Sequence, residues 1–238
     1  MMELVEVTKT YQQGSRIVQA VRGVSLKVEA GEFVSIMGPS GSGKSTLMHL
    51  LGALDTPTTG QALFHGRDLA KMSDRERSLL RRTRIGFVFQ FFNLLPTLTA
   101  AENVALPLLL GGMSRSKALQ QARLALEPVH LAHRAEHYPD EMSGGEMQRV
   151  AIARALVSNP EAIVCDEPTG NLDSHNSTEV LKLLRRLPEA GRRCVVMVTH
   201  DAQAANYGDR RIVIRDGRIC EAESGSTSPI RPTATVQG

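Results

Sequence analysis

The sequence has no long apolar run. Its most extended uncharged stretch, around residues 104–113, is interrupted by Pro107 and is too short to cross a bilayer, so work at a membrane would require a partner that supplies the spanning segments. No secretory leader is read at its start. Cysteine is scarce: Cys165, Cys194 and Cys220 are odd in number, far apart and without metal-ligand spacing, which favours a reducing, cytosolic setting. Basic charge is equally thin, because a formal net charge of +3 is too mild to argue for nucleic acid and no block of Lys and Arg interleaves with aromatics. The cluster Arg81-Arg82-Thr83-Arg84 reads as a solvated face. What remains is an ordinary composition of 42% hydrophobic and 22% charged residues, and at 238 residues the chain can bury a real core.

The stretch Gly38-Pro39-Ser40-Gly41-Ser42-Gly43-Lys44-Ser45-Thr46 matches the phosphate-binding pattern G-x-x-x-x-G-K-[ST]. Its glycines let successive backbone N–H groups turn inward toward an anion. Lys44 adds a mobile positive charge, Ser45 a hydroxyl suited to Mg²⁺, and the helix that follows aims its positive end at the same phosphates. The motif needs a strand before it and a helix after it. Phe33-Val34-Ser35-Ile36-Met37 has strand character, and Leu47, Met48, Leu50, Leu51 and Leu54 recur at helical spacing.

Ahead of this loop, residues 3–7 alternate polar and apolar, Gln13-Gly14-Ser15 reads as a turn, and residues 17–28 hold two further β-like runs, which together predict a small antiparallel sheet. Tyr11 ends the first strand, where its ring could stack on a base or simply be half-buried. Beyond the loop, residues 62–67 are β-like, residues 73–82 helical, and Ile85-Gly86-Phe87-Val88-Phe89 is a strand ending on Gln90, where an amide at a strand's carboxyl end is placed to reach a metal or its water. A mainly helical insertion follows, with Phe91-Phe92-Asn93-Leu94-Leu95-Pro96 either core or a docking surface.

Ser143-Gly144-Gly145-Glu146 is a capping box that opens a helix carrying Val150, Ile152, Ala153 and Leu156, and the two glycines leave its N-terminus bare for an anion. Asn159-Pro160 ends that helix. Ala162-Ile163-Val164-Cys165 is a buried-type strand finishing in Asp166-Glu167, adjacent carboxylates that are costly to bury without a cation or a proton to handle. In a phosphate-loop enzyme the first helps hold Mg²⁺ and the second polarises an attacking water, which assigns Asp166 to metal and Glu167 to general base. Thr169-Gly170-Asn171-Leu172-Asp173 is a turn, a helix runs to about residue 187, and a strand ends in Thr199-His200-Asp201, so that His200 can meet a γ-phosphate or order the water. Residues 211–220 form a hairpin, and residues 223–238 read as a disordered tail.

In this order, the phosphate loop, Gln90, Ser-Gly-Gly-Glu, Asp-Glu, Asn-Leu-Asp and Thr-His-Asp resemble the ATP-binding cassette (ABC) ATPases over nearly the whole chain. Gly86-Phe87-Val88-Phe89-Gln90 with Asn93-Leu94-Leu95-Pro96, and residues 166–173, look most like the lipoprotein-releasing and macrolide-exporter branch. The resemblance implies an α/β fold: a phosphate-loop (RecA-like) core with an N-terminal antiparallel β-subdomain, about residues 1–90 and 159–222, and an inserted α-helical subdomain, about residues 91–158. It implies ATP and Mg²⁺ as ligands. Tyr11 would stack on adenine, residues 38–46 and Gln90 would bind ATP, and Lys44, Glu167 and His200 would be catalytic. Ser45, Gln90 and Asp166 would serve the Mg²⁺. Ser143, Gly144, Gly145, Glu146, Gln148 and Asp173 would form the signature and dimer contacts, acting across a head-to-tail homodimer that drives integral membrane subunits at the cytoplasmic face of the cell membrane. Met142 departs from the leucine usual before Ser-Gly-Gly, a change of similar volume. Transport of lipoproteins, lipids, drugs or peptides is the expectation, and regulation of a membrane complex of the cell-division type is the alternative. Long coiled-coil insertions or a second cassette, as in relatives acting on DNA or ribosomes, are lacking.

Overall fold

A computed structural model of the chain describes residues 1–14, 16–188, 191 and 193–224. Strands β1 (Met2–Gln13) and β2 (Arg16–Val28) pair antiparallel, and β1 pairs on its other edge with β4 (Thr59–Phe64), which turns into β5 (Arg67–Asp68). The order in this sheet is β2-β1-β4-β5. Residues 17–28, expected as two runs, lie in one strand. Register shifts near Glu6, whose φ is 48°, bend β1 without ending it.

The second sheet holds β3 (Phe33–Met37), β6 (Ile85–Phe89), β7 (Ala162–Asp166), β8 (Cys194–Thr199), β9 (Arg210–Arg215) and β10 (Arg218–Ser224), in the order β10-β9-β3-β8-β7-β6. All neighbours are parallel except the β9–β10 hairpin. The alternation of side chains across a strand explains why its central members read as unbroken apolar runs. Val34, Ile36, Ala162, Val164, Val196 and Val198 bury one face against the antiparallel sheet and helix α1 (Lys44–Leu51). Phe33, Ile163, Cys165, Val195 and Met197 bury the other against α5 (Gly144–Leu156) and α6 (Ser174–Arg186). Cys165 and Cys194 are therefore core residues, and burial raises both thiols far above their ordinary range, which keeps them unreactive.

Between β6 and β7 the chain builds a separate small core from Ala101, Val104, Ala118, Ala122, Leu126 and Val150, contributed by α3 (Ala100–Leu110), α4 (Arg115–Leu126) and α5. Helix α2 (Asp74–Thr83) carries its own capping box from Ser73 and Glu76, and α7 (Ala202–Ala205) is a single turn after β8. Leu54, expected on the helix after the phosphate loop, is not part of α1. That helix stops at Leu51, Gly52 caps it, Ala53 turns at a φ of 56°, and Leu54 is left 44% exposed. Glu223 and Ser224, expected in the tail, belong to β10, while residues 225–238 lie outside the described residues.

Candidate functional site

Because β3, β8, β7 and β6 are adjacent and parallel, their carboxyl ends share one edge, with Met37 opposite Thr199, Asp166 opposite Val198 and Phe89 opposite Asp166. The segments that follow these strands carry Gly38 to Thr46, His200, Glu167 and Gln90, so the topology collects residues spread over most of the chain. Ligands of open α/β sheets gather along such an edge.

The phosphate loop leaves β3 and enters α1 through Gly43, at a φ of 102°. A Cβ there would stand 2.3 Å from the carbonyl oxygen of Ala20, so only glycine fits both the backbone and the space. Lys44 is 8% exposed and its Nζ donates to the carbonyls of Gly38 (2.8 Å) and Pro39 (2.9 Å), which holds a positive charge inside the curve of the loop. The half-buried Asp166 carboxyl is raised above its ordinary range by burial first and by the charge of Glu167 second, with His49 and Lys44 acting the other way. Two neighbouring carboxyls at a strand end, facing a lysine and a bare helix N-terminus, suit a phosphate with a divalent cation. Among the described residues no group of three His, Cys, Asp or Glu could hold a metal alone. A Mg²⁺ here would be one shared with phosphate oxygens, and the residues present fit that arrangement.

Glu167 adopts a φ of 46°, uncommon for a residue with a Cβ. The turn is held because its N–H donates to Val198 O (2.9 Å) and its carbonyl accepts from Gly170 N (3.0 Å). Its carboxylate thereby lies 2.9 Å, through Oε2, from Nδ1 of His200, and it also accepts the His200 backbone N–H at 3.3 Å. Gln90 donates from Nε2 to Asn171 Oδ1 (3.3 Å), and Asn171 Nδ2 donates back to Gln90 O (3.1 Å), so β6 and the turn after β7 are tied together. Tyr11 lies beside Asp55, to which its hydroxyl donates at 2.9 Å.

Ser143 caps α5: its Oγ accepts from Glu146 N (3.3 Å), while Glu146 Oε2 accepts from Ser143 N (2.9 Å). The nearest neighbours of a Cβ at Gly144 or Gly145 are Leu172, Phe92, Asn171 and Asn176, contributed by the loop after β6, the turn after β7 and the start of α6. Asp173 caps α6 by accepting from Asn176 N at 2.8 Å. Gln148, expected among the signature and dimer contacts, is fully buried. One turn along α5 from the cap it faces inward, and its Nε2 donates to Phe89 O (3.3 Å) and to Pro168 O, fastening α5 to the segments at the ends of β6 and β7. Arg154, two turns further, donates to the carbonyls of Phe92 and Asn93, both at positive φ.

Asn103 was not singled out by the sequence, and a capping box at Thr99 and Glu102 was the available signal. Fully buried, it accepts from Leu95 N (2.7 Å) and donates to the carbonyls of Leu95 (3.0 Å), Leu98 (3.0 Å) and Thr99 (3.1 Å), which fixes the loop before α3. Asn103→Ala strands these groups and should cost about 2–3 kcal/mol, read as a lowered midpoint in urea unfolding. An unchanged midpoint would show that the loop is held by other means.

An α/β domain with a phosphate loop at the carboxyl edge of a parallel sheet, an Asp-Glu pair on the next strand but one and a histidine between them defines a phosphate-loop nucleoside triphosphatase. The family is more particular: the ABC transporter family model matches residues 21–170, and the chain belongs to that family as one of its ATPase domains. It is 51% identical over 218 residues, 92% of this chain and 93% of the relative, to an uncharacterized ABC transporter ATP-binding protein of Thermotoga maritima. Against the macrolide export ATP-binding/permease protein MacB of Chlorobaculum tepidum it is 47% identical over 232 residues, 98% of this chain and 35% of the relative. Among solved structures it resembles the ATP-binding cassette MJ0796 of Methanocaldococcus jannaschii in a dimeric post-hydrolysis state bound to ADP and Pi, with a TM-score of 0.87, 46% identity, and coverage of 94% of this chain and 98% of that one.

Proposed function

We propose that this chain is the energising subunit of an ABC transporter of the lipoprotein-releasing or macrolide-exporter branch, working as an ATP-closed homodimer bound to membrane subunits. The observation that carries this reading is the likeness, over 94% of the chain, to a cassette solved as a dimer with ADP and Pi. The 47% identity to the ATPase part of a macrolide exporter fused to its permease supports a membrane partner, and no helix among the described residues is long and apolar enough to cross a membrane itself. On this reading the dimer sits at the cytoplasmic face of the membrane and helps to extract or export lipoproteins, lipids, drugs or peptides.

Within each site residues 38–46 bind the phosphates, Lys44 leaving its carbonyl partners for them, while Tyr11 stacks on adenine. Ser45, Asp166 and Gln90 would hold a Mg²⁺, which when bound would supply neutralisation of phosphate charge. Glu167 accepts the proton of the attacking water at its carboxylate, and His200, 2.9 Å away, orients that carboxylate and the water. In trans, Ser143, Gly144, Gly145 and Glu146 of one subunit cap the γ-phosphate held by the other, with Asp173 at the seam. The membrane subunit docks near residues 90–96, where Phe91 is 71% and Leu95 47% exposed and where Gln90 connects directly to the Asn171 turn.

The test is copurification. The tagged chain, extracted from membranes of its source in mild detergent with and without ATP, should bring down, in an ATP-dependent manner, an integral membrane protein with few spanning helices and a large extracytoplasmic domain. Recovery of cell-wall or division proteins alone would transfer the reading to a regulator of a membrane complex.

A further inference from the structure

Tyr11 does not stand alone on its strand. Lys9 and Tyr11 are two residues apart on β1 and so share a face of the sheet. The Lys9 ammonium lies 5.1 Å from the centre of the Tyr11 ring. It also donates to Asp55 Oδ1 (2.6 Å) and Thr56 O (2.8 Å). Asp55 in turn accepts from the Tyr11 hydroxyl through Oδ2 (2.9 Å) and from Thr56 N through Oδ1 (2.7 Å). The three side chains close a ring of contacts in which the lysine is 13% and the aspartate 29% exposed. Asp55 sits just beyond α1, the helix that grows out of the phosphate loop, so this cluster joins the strand carrying Tyr11 to the element carrying Lys44. Thr58 N donates to Thr8 O (2.8 Å) and Thr10 N to Thr58 Oγ (3.0 Å), which keeps the two segments in register.

We propose that Lys9 and Asp55 are positioning residues for base recognition: Asp55 fixes the ring by its hydroxyl, Lys9 occupies one face, and the opposite face is presented to the purine of the nucleotide. This rests on the reading of Tyr11 as the adenine-stacking residue. A cation over one face of a ring is attracted by its quadrupole, favours one orientation of the ring plane and excludes a competing stack there, while the anchored hydroxyl removes the swing of the side chain that base binding would otherwise have to freeze. The electrostatics agree. Burial first, and the Asp55 carboxylate next, raise the Tyr11 phenol above its ordinary range, so it stays a neutral donor. Burial alone would raise the Asp55 carboxyl, but Lys9, Thr56 and Tyr11 together hold it below the usual carboxylate range.

The experiment compares Lys9→Met, Asp55→Asn and Tyr11→Ala with the wild type in steady-state ATP hydrolysis, with inorganic tripolyphosphate as a competitive inhibitor that has phosphates and no base. Lys9→Met and Asp55→Asn should raise the KM for ATP about three- to tenfold, with the loss in KM rather than kcat, and leave the tripolyphosphate inhibition constant unmoved. Tyr11→Ala should raise KM by about five- to a hundredfold. The chain has three tyrosines and no tryptophan, so its tyrosinate absorbance titration is legible, and Asp55→Asn should move the component above the ordinary phenol range downward. If Tyr11→Ala raises KM while the other two variants do not, the positioning proposal fails and stacking stands. Equal weakening of ATP and tripolyphosphate would mean that the cluster props up the phosphate loop, which also overturns it. A KM untouched by Tyr11→Ala would remove the stacking reading itself.

Discussion

Glu167→Gln is expected to bind MgATP and to hydrolyse it about 10²–10⁴ times more slowly than the wild type, the range over which a positioned general base acts. The substitution keeps the shape of the side chain and the backbone at its φ of 46°, with the bonds to Val198 and Gly170 intact, so the fold should be unaffected. What it removes is an atom that can accept a proton: the carboxylate 2.9 Å from Nδ1 of His200 becomes an amide. Thermal unfolding should match the wild type while turnover collapses. Because hydrolysis is what reopens the proposed dimer, the variant should accumulate as a dimer with ATP on a sizing column. Turnover like that of the wild type would remove Glu167 from the role of base, and slow turnover without a stable dimer would separate hydrolysis from opening.

The parts of this molecule that were legible in sequence are those whose chemistry is contiguous. The phosphate loop, the Ser143 capping box and the Asp166-Glu167 pair each lie within a few residues, and the strands before the first and the last of these need only their own short apolar runs to be seen. Collecting them at one edge follows once the strands are parallel. Other features were hidden because they depend on which face a residue takes. Gln148 stands in the same turn as Gly144 and Gly145, yet its position on α5 points it at Phe89 and Pro168, 59 and 20 residues away. The partners in the Tyr11 cluster are 44 and 46 residues apart, and nothing local marks Asp55 as theirs until β1 and the segment after α1 are set side by side. Leu54 fits a helical spacing that the chain abandons at Gly52, where a turn at Ala53 takes precedence over periodicity.

Ser143→Arg tests the remaining step, the sharing of a site between two subunits. Ser143 is exposed, and the backbone around it faces Asn171, Leu172 and Asn176 of its own chain. A Cβ on Gly145 would stand 2.0 Å from Asn176 Oδ1, so α5 and α6 are already in close contact, and a large side chain at position 143 can only project outward. There it would occupy the space that the γ-phosphate and the phosphate loop of the second subunit must enter in the proposed dimer, holding the two surfaces apart. Overfilling a closely fitted contact costs about 1–3 kcal/mol, so closure should weaken by about ten- to a hundredfold. The loss of the cap itself is smaller, about 1 kcal/mol, and Ser143→Ala serves as its control. ATP should bind to the Ser143→Arg monomer with the affinity of the wild type, measured by equilibrium dialysis, while the ATP-dependent dimer of the Glu167→Gln background disappears and turnover falls with it. Loss of ATP binding by the monomer would mean that Ser143 belongs to the site of its own chain, and the trans arrangement would be wrong.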